Sequence, residues 1–104
     1  MLEPGPYGFR VVGRITGVKK HCDVGHFVGQ EIDLSGARVD GICGYLYHTI
    51  FPYLIMLRFG GGFPAAWGGD RDVVEVDCID TENRVTIELR RLHEDAGSSA
   101  DKVP

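Results

Sequence analysis

Two alternating runs of residues near the C-terminus set the architecture of this chain: Val73-Val74-Glu75-Val76-Asp77-Cys78-Ile79 and Val85-Thr86-Ile87-Glu88-Leu89-Arg90. Successive side chains of a β-strand point to opposite faces of a sheet, so this alternation is typical of half-buried strands. Residues 80–83, between the runs, have the composition of a turn. The pattern therefore predicts a β-hairpin with one apolar face. The residues predicted to meet on that face are Val74, Val76 and Cys78 with Val85, Ile87 and Leu89.

Two further strands are predicted on the N-terminal side. Residues 9–18 alternate so that Phe9, Val11 and Ile15 share one face, while polar side chains occupy the other. A shorter strand is expected at residues 30–34. Together with the hairpin, these segments predict a small, mainly antiparallel sheet of four strands.

A helix is predicted between the two strand pairs, over residues 45–58. This segment is apolar nearly all round, which for a helix indicates burial on most sides. Pro52 lies inside it, and proline removes a backbone donor, so we expect either a kink or two short helices. Gly60-Gly61-Gly62 follows a helix and precedes no Lys-Ser or Lys-Thr pair, which favours a helix stop over a phosphate-binding loop.

The predicted fold is therefore α+β, in the order ββαββ, with a four-stranded sheet packed on one central, Pro-kinked apolar helix. Residues 9–93 form the single domain, after a lead-in at residues 1–8. Residues 94–104 are rich in Ser, Ala, Gly, Asp and Lys, a composition that predicts disorder.

A helix that is apolar on most sides cannot bury all of its surface against one small sheet. We therefore expect a homo-oligomer formed through the helix. The alternative is a monomer whose glycine-rich loop folds over the helix, with Phe63 and Trp67 completing the core. The residues expected in the oligomer contact are Tyr45, Phe51, Tyr53, Met56 and Phe59.

Composition excludes several classes of function. The formal net charge of -4 argues against generic nucleic-acid binding, since phosphate neutralisation needs an excess of Lys and Arg. No apolar run approaches the roughly 20 residues of a membrane span, and the first residues lack the pattern of a signal peptide. We expect a cytoplasmic protein with no membrane partner. In a reducing compartment its three cysteines would be thiols or metal ligands.

The cysteines and histidines form a candidate metal site. Thiolate and imidazole are the preferred ligands of zinc and similar transition metals, and two Cys/His pairs lie on Gly-rich turns. The spacing does not match a zinc finger. Cys78 could instead be a small buried hydrophobic residue, and His48 an imidazole bonded to a backbone carbonyl. The predicted metal ligands are Cys22, His26, Cys43, His48 and Cys78.

The same residues allow a thiol-dependent enzyme. Cys43 lies at the predicted N-terminus of the helix, where the helix dipole stabilises a thiolate. Its base would be His48 or His26, and the orienting carboxylate would be Asp40 or Asp23. In a third interpretation the chain is a structural accessory subunit with inert thiols. His21 and His93 are read as solvent-facing.

Several short motifs occur in a fixed order within residues 9–92. They are Cys22-x-x-Gly25-His26, Gly41-Ile42-Cys43, Phe51-Pro52, Phe59-Gly60-Gly61 and Cys78-x-Asp80. This set resembles a family of small, uncharacterised bacterial and archaeal proteins of about the same length. Two departures from its pattern are Ile79, where a proline is expected, and the insertion of Ala65-Ala66 in the glycine-rich loop.

The resemblance implies a shared site around the three thiols, without specifying its occupant. The signature positions that it covers are Cys22, Gly25, His26, Cys43, His48 and Cys78. The function predicted from the sequence is thus a small module that binds a metal ion, zinc or another transition metal, or a small-molecule ligand.

Overall fold

The computed structural model describes residues 8–22, 24–35, 39–64, 66 and 70–93. These residues form a four-stranded sheet and one α-helix. The elements in chain order are β1 (Val11–Val18), β2 (Glu31–Asp33), α1 (Gly44–Arg58), β3 (Val73–Asp77) and β4 (Val85–Arg91). The strand order in the sheet is β2-β1-β4-β3, and every neighbouring pair is antiparallel. The predicted α+β fold with the order ββαββ is confirmed.

The hairpin of β3 and β4 has the predicted register. Val74 lies opposite Leu89 and Val76 lies opposite Ile87. The backbone N–H of Cys78 donates to the carbonyl of Val85 at 2.9 Å, which extends the same register toward the turn. The alternation of apolar residues therefore places both strands with their apolar face toward the helix.

The core lies between the sheet and one stripe of α1. Along the helix, buried apolar residues recur every three or four positions, which is the spacing of a single helical face. They are Leu46, Ile50, Leu54 and Leu57, and they pack with Val11, Ile15, Ile32, Leu34, Val76, Val85, Ile87 and Leu89. On its other sides the helix, with its C-cap residue, leaves large apolar residues exposed: Tyr45, Phe51, Tyr53 and Phe59.

The helix continues through Pro52 to Arg58, and a glycine after its C-cap residue stops it. Pro52 has no N–H to donate to the carbonyl of His48, yet α1 is unbroken, so the alternative of two short helices does not occur. Gly60 has a φ of 93°, and its N–H donates to Leu57 while that of Gly61 donates to Met56. This pair of bonds is a Schellman motif, which explains the predicted helix stop.

A buried arginine ties the end of β4 to the C-terminus of the helix. Arg91 donates to the carboxylate of Asp72 at 2.8 Å and to the carbonyls of Leu57 and Gly61 at 3.0 and 2.7 Å. Asp72 therefore neutralises the charge of Arg91, and backbone oxygens accept hydrogen bonds from its remaining donors. A guanidinium group can be buried only when both conditions are met.

Some predictions fall outside the described residues. These are the lead-in up to residue 7, the tail 94–104, the loop residue Trp67 and the carboxylate candidate Asp23. Phe63 is described: it is half-buried, and its ring centroid lies 6.1 Å from that of Tyr53. Among the described residues, no helix has the length and apolar character needed to cross a membrane.

Candidate functional site

A pocket of about 370 Å³ lies where three parts of the chain meet. They are the segment that follows β1, the N-terminus of α1, and the turn that joins β3 to β4. We call this cavity the thiol pocket, because all three cysteines line it. The lining residues are His21, Cys22, Val24, His26, Cys43, Tyr45, Leu46, Cys78, Ile79, Asp80, Asn83 and Val85.

The three thiols come from three separate elements. Cys22 follows β1, Cys43 is the N-cap residue of α1 and Cys78 follows β3. Each is partly buried and packs against the hydrophobic core. The fold therefore brings together four of the five residues predicted as metal ligands, the fourth being His26.

His26 is buried, and both of its ring nitrogens are engaged. Its Nδ1 lies 2.8 Å from the side-chain oxygen of Gln30, which can only accept, so Nδ1 carries the proton. Its Nε2 accepts a hydrogen bond from the backbone N–H of Cys43 at 3.0 Å. The imidazole is therefore the neutral Nδ1–H tautomer, and its lone pair is directed at the backbone of the helix N-cap rather than into the pocket.

Cys43 is held in place through its backbone. Its N–H donates to His26, and its carbonyl accepts the first hydrogen bond of the helix, from Tyr47 at 2.8 Å. No side chain caps the N-terminus of α1 in the conventional way. The link to His26 therefore positions the first turn of the helix against the loop that follows β1.

Cys78 is part of the hairpin connection. Its Sγ accepts a hydrogen bond from the N–H of Val85 at 3.2 Å and lies 3.8 Å from the carbonyl oxygen of Asp80. The interpretation of Cys78 as a plain buried hydrophobic residue is thus incomplete, since the sulfur also supplies an acceptor for a backbone donor that points into the turn.

Asp80 organises the same turn. One carboxylate oxygen accepts from the N–H groups of Glu82 and Asn83, at 3.0 and 3.2 Å, and the other accepts from the side-chain amide of Asn83 at 3.2 Å. The hydrogen bonds from Asn83, the side-chain bond first, lower the pKa of Asp80 below its ordinary value. The Cys-x-Asp motif therefore has a structural role, which is to shape the wall of the pocket.

His48 lies elsewhere. It is exposed on α1 and lines a separate shallow cavity with Gly44, Tyr47, Phe51 and Pro52. It is five residues from Cys43, which corresponds to about 140° around a helix axis. The structure does not bring His48 to the thiol pocket with the other predicted ligands.

Three polar residues of the pocket wall are not among the site residues predicted from the sequence. His21 lines the pocket although its predicted position is solvent-facing, and Asp80 and Asn83 line it although the sequence predicts a turn there and, for Asp80, a place in the Cys-x-Asp motif. The clustering of His21 with Cys22 within the chain was the available signal for the first. For the other two, the closeness of the turn to the pocket depends on tertiary contacts, which no local pattern encodes.

His93 also has a partner that the sequence does not reveal. Its Nε2 lies 2.8 Å from the Asp72 carboxylate, which also binds Arg91. The hydrogen bond from His93 is the main cause that lowers the pKa of Asp72, and Arg91 contributes in the same direction. This cluster is at the C-terminal end of α1 and takes no part in the thiol pocket.

Metal-ligand geometry is not preformed in the described part of the chain. Among these residues no group of three His, Cys, Asp or Glu side chains is arranged to hold a metal ion. His26 would have to give up its bond to Cys43 before its Nε2 could coordinate one. The predicted zinc or transition-metal site stays a prediction.

The fold and the pocket define a small α+β protein with a cavity lined by thiols and apolar side chains. The chain matches no family model, no curated protein and no solved structure. The resemblance drawn from the sequence motifs therefore stays a prediction, and the chemistry of the pocket carries the functional argument.

Proposed function

We propose that this protein is a small-ligand-binding module whose ligand occupies the thiol pocket. The observation that carries the proposal is the convergence of three chain segments around one concave, mostly apolar cavity of about 370 Å³. Cavities of this size with a few polar groups at the edge are the usual form of small-molecule sites.

The lining indicates the chemistry of the ligand. Val24, Leu46, Ile79 and Val85 supply an apolar wall, and the three sulfur atoms add soft, polarisable contacts. Polar groups are supplied by His21, Asp80 and Asn83. A ligand with an apolar body and one or two hydrogen-bonding groups fits this distribution.

A thiophilic metal ion is the second candidate occupant. It is favoured by the presence of all three cysteines in one pocket, since thiolates are ligands for zinc and other transition metals. Such an ion would require the sulfur atoms to move into a common coordination geometry. Metal analysis of protein purified without added metal tests this candidate, with a stoichiometric metal that is lost in Cys43→Ser as the supporting result.

A thiol-dependent enzyme finds less support. Cys43 is in the pocket, but the two histidines nominated as its base are not placed to serve it. His48 lines another cavity, and the Nε2 lone pair of His26 accepts from the backbone of Cys43 itself. A purely structural role for the thiols predicts that the pocket binds nothing.

The proposal is tested with the apolar fluorescent probe N-phenyl-1-naphthylamine. We expect saturable binding to the wild type, and loss of most of it in Cys43→Leu, because the larger side chain fills the cavity. The matched control is His48→Leu, which makes a comparable change at the same end of the helix but outside the pocket. Absence of saturable binding, or equal binding by wild type and Cys43→Leu, would contradict the proposal.

A further inference from the structure

β3 presents an open edge of the sheet. It pairs with β4 on one side, and no strand in the described part of the chain pairs with its other side. The N–H of Cys78 donates to the carbonyl of Val85, and the N–H of Arg91 donates to the carbonyl of Asp72. Within residues 72–78, the even-numbered residues therefore form the hydrogen bonds to β4. In an antiparallel ladder the intervening residues face the other way, so the backbone N–H and C=O groups of Glu75 point outward.

A groove runs beside this edge, between β3 and α1. Its volume is about 630 Å³, and all five residues of β3 line it. Thr49 and Tyr53 of the helix and Phe63 of the following loop form its other wall. We call this feature the β3 edge groove. An edge strand next to a helix, with a partly apolar groove between them, is an arrangement that can accept an extended peptide as an added strand.

The two faces of an added strand would meet different surroundings. On the helix side it would lie against apolar and aromatic groups, including Val74, Tyr53 and Phe63. On the opposite face it would lie beside Glu75 and Asp77, which are exposed. Because side chains alternate along a strand, the groove suits a segment in which every second residue is apolar and the others are basic.

The acidic residues of β3 favour basic residues in the added strand. They also disfavour a second copy of this chain as the occupant of the groove. Glu75 lies directly opposite Glu88 in the β3–β4 register, and Glu88 is paired with Arg90 at 3.4 Å. A Lys or Arg of an added strand beside the exposed Glu75 carboxylate would form a favourable cross-strand charge pair. Pairing of β3 with another β3 would instead bring Glu75 and Asp77 of one copy against those of the other, a charged edge that opposes self-pairing.

We propose that the β3 edge groove is a docking site for an extended segment of another protein, in which apolar residues alternate with Lys or Arg. This segment adds to the sheet as a fifth strand next to β3. Backbone hydrogen bonds to the outward groups of Glu75 provide affinity, and the carboxylate of Glu75 provides selectivity for positive charge. This site is independent of the thiol pocket.

The probe is a capped hexapeptide with the sequence Val-Lys-Val-Lys-Val-Lys, titrated into the full chain. We expect saturable shifts of the backbone amide signals of β3 by NMR, together with slower hydrogen exchange at the N–H of Glu75. Glu75→Lys should weaken binding about tenfold or more, since it reverses the charge next to the peptide. Glu31→Lys is the matched control, because it makes the same change on the edge strand at the other side of the sheet, and it should bind like the wild type.

A second version of the peptide separates strand addition from simple charge attraction. Methylation of alternate backbone nitrogens keeps every charge but removes donors of the added strand, and it should abolish binding. The proposal is overturned by the absence of saturable binding, by unweakened binding of the methylated peptide, by unweakened binding to Glu75→Lys, or by equal weakening in Glu31→Lys. Protection of the Glu75 N–H by concentrated protein without peptide would mean that a second copy occupies the edge, and would also overturn it.

Discussion

His26 shows how a residue with apparent catalytic or metal-binding chemistry can serve structure. Its imidazole bridges the Gln30 side chain and the backbone of Cys43, which joins the loop after β1 to the first turn of α1. Removing one partner of a buried hydrogen bond leaves the other group unsatisfied. The free-energy cost of that unsatisfied group is larger than the net free energy that the bond contributes to stability.

Replacement of His26 by alanine should therefore destabilise the fold by about 2 kcal/mol or more, because the Cys43 N–H loses its acceptor. Urea unfolding followed by circular dichroism measures this change. His48→Ala is the control, since an exposed histidine should change the free energy of unfolding by no more than about 0.5 kcal/mol. Equal effects of the two substitutions would show that the His26 bridge adds nothing to stability.

Asp72 links stability to acid pH. Hydrogen bonds from His93 and Arg91 lower its pKa in the folded protein. A carboxyl group whose pKa is lower when folded contributes stability above its unfolded pKa of about 4, and that contribution is lost as the pH falls through the folded pKa. The stabilising contribution is thus complete at neutral pH and disappears in acid.

Replacement of His93 by alanine should raise the pKa of Asp72 toward its ordinary value, because the hydrogen bond that lowers this pKa most is lost. Carboxyl carbon NMR titration of Asp72 gives this pKa directly. His48→Ala again provides the control and should leave the titration of Asp72 unchanged. A titration of Asp72 that is identical in wild type and His93→Ala would contradict the assigned cause.

At the scale of the elements, β1 depends on a close approach at Gly13. A Cβ atom at this position would lie 2.8 Å from Cδ1 of Ile87 and 2.9 Å from Cδ1 of Leu34, both fully buried residues. Gly17, in the same strand, has more room, since its nearest neighbour would be Thr86 at 3.6 Å. The two glycines therefore form a natural pair for comparison.

Gly13→Ala should lower the free energy of unfolding by about 1–3 kcal/mol, because the added methyl group overpacks the core. Gly17→Ala should be close to neutral. Chemical denaturation of both variants under the same conditions makes the comparison. A cost for Gly17→Ala as large as that for Gly13→Ala would indicate that backbone conformation, rather than the contact with Ile87 and Leu34, sets the requirement for glycine.

The elements were largely predictable because their signals are local. The alternation in residues 73–79 and 85–90 fixes which side of the hairpin is apolar, and the structure keeps that side on the core. The extent of burial around α1 was not predictable in the same way. Its sequence is apolar on nearly every side, but the sheet covers only the stripe that contains Leu46, Ile50 and Leu54.

At the scale of the whole molecule, the site was only partly predictable. That Cys22, Cys43 and Cys78 line one pocket follows from how the helix N-terminus and the hairpin turn approach the end of β1, which is a tertiary property. His48 lies outside the pocket, which was not predictable because the sequence gives its distance from Cys43 along the chain but not the direction of its side chain. His26 lines the pocket, yet its hydrogen bonds direct its lone pair toward the backbone of Cys43.

Self-association through α1 remains a prediction, and the helix geometry narrows where it can occur. Phe51 and Tyr53 are two positions apart, so they point about 200° apart around the helix and do not share one flat interface. Tyr53 lines the β3 edge groove, whereas Phe51 lies with Tyr47 and His48 on the other flank. Phe51 is 44% exposed, and its ring meets that of Tyr47 edge-on with 5.7 Å between the ring centroids.

We therefore expect copies of the chain to associate through the flank of α1 that contains Phe51, because burial of exposed aromatic surface provides the driving force. Sedimentation velocity over a range of protein concentrations should show an oligomer for the wild type and a monomer for Phe51→Glu. Val28→Glu is the matched control, since Val28 is a comparably exposed apolar residue on the loop before β2 and not on the helix. A wild type that sediments as a monomer throughout would exclude this interface, and equal dissociation by both variants would indicate a general effect of added charge.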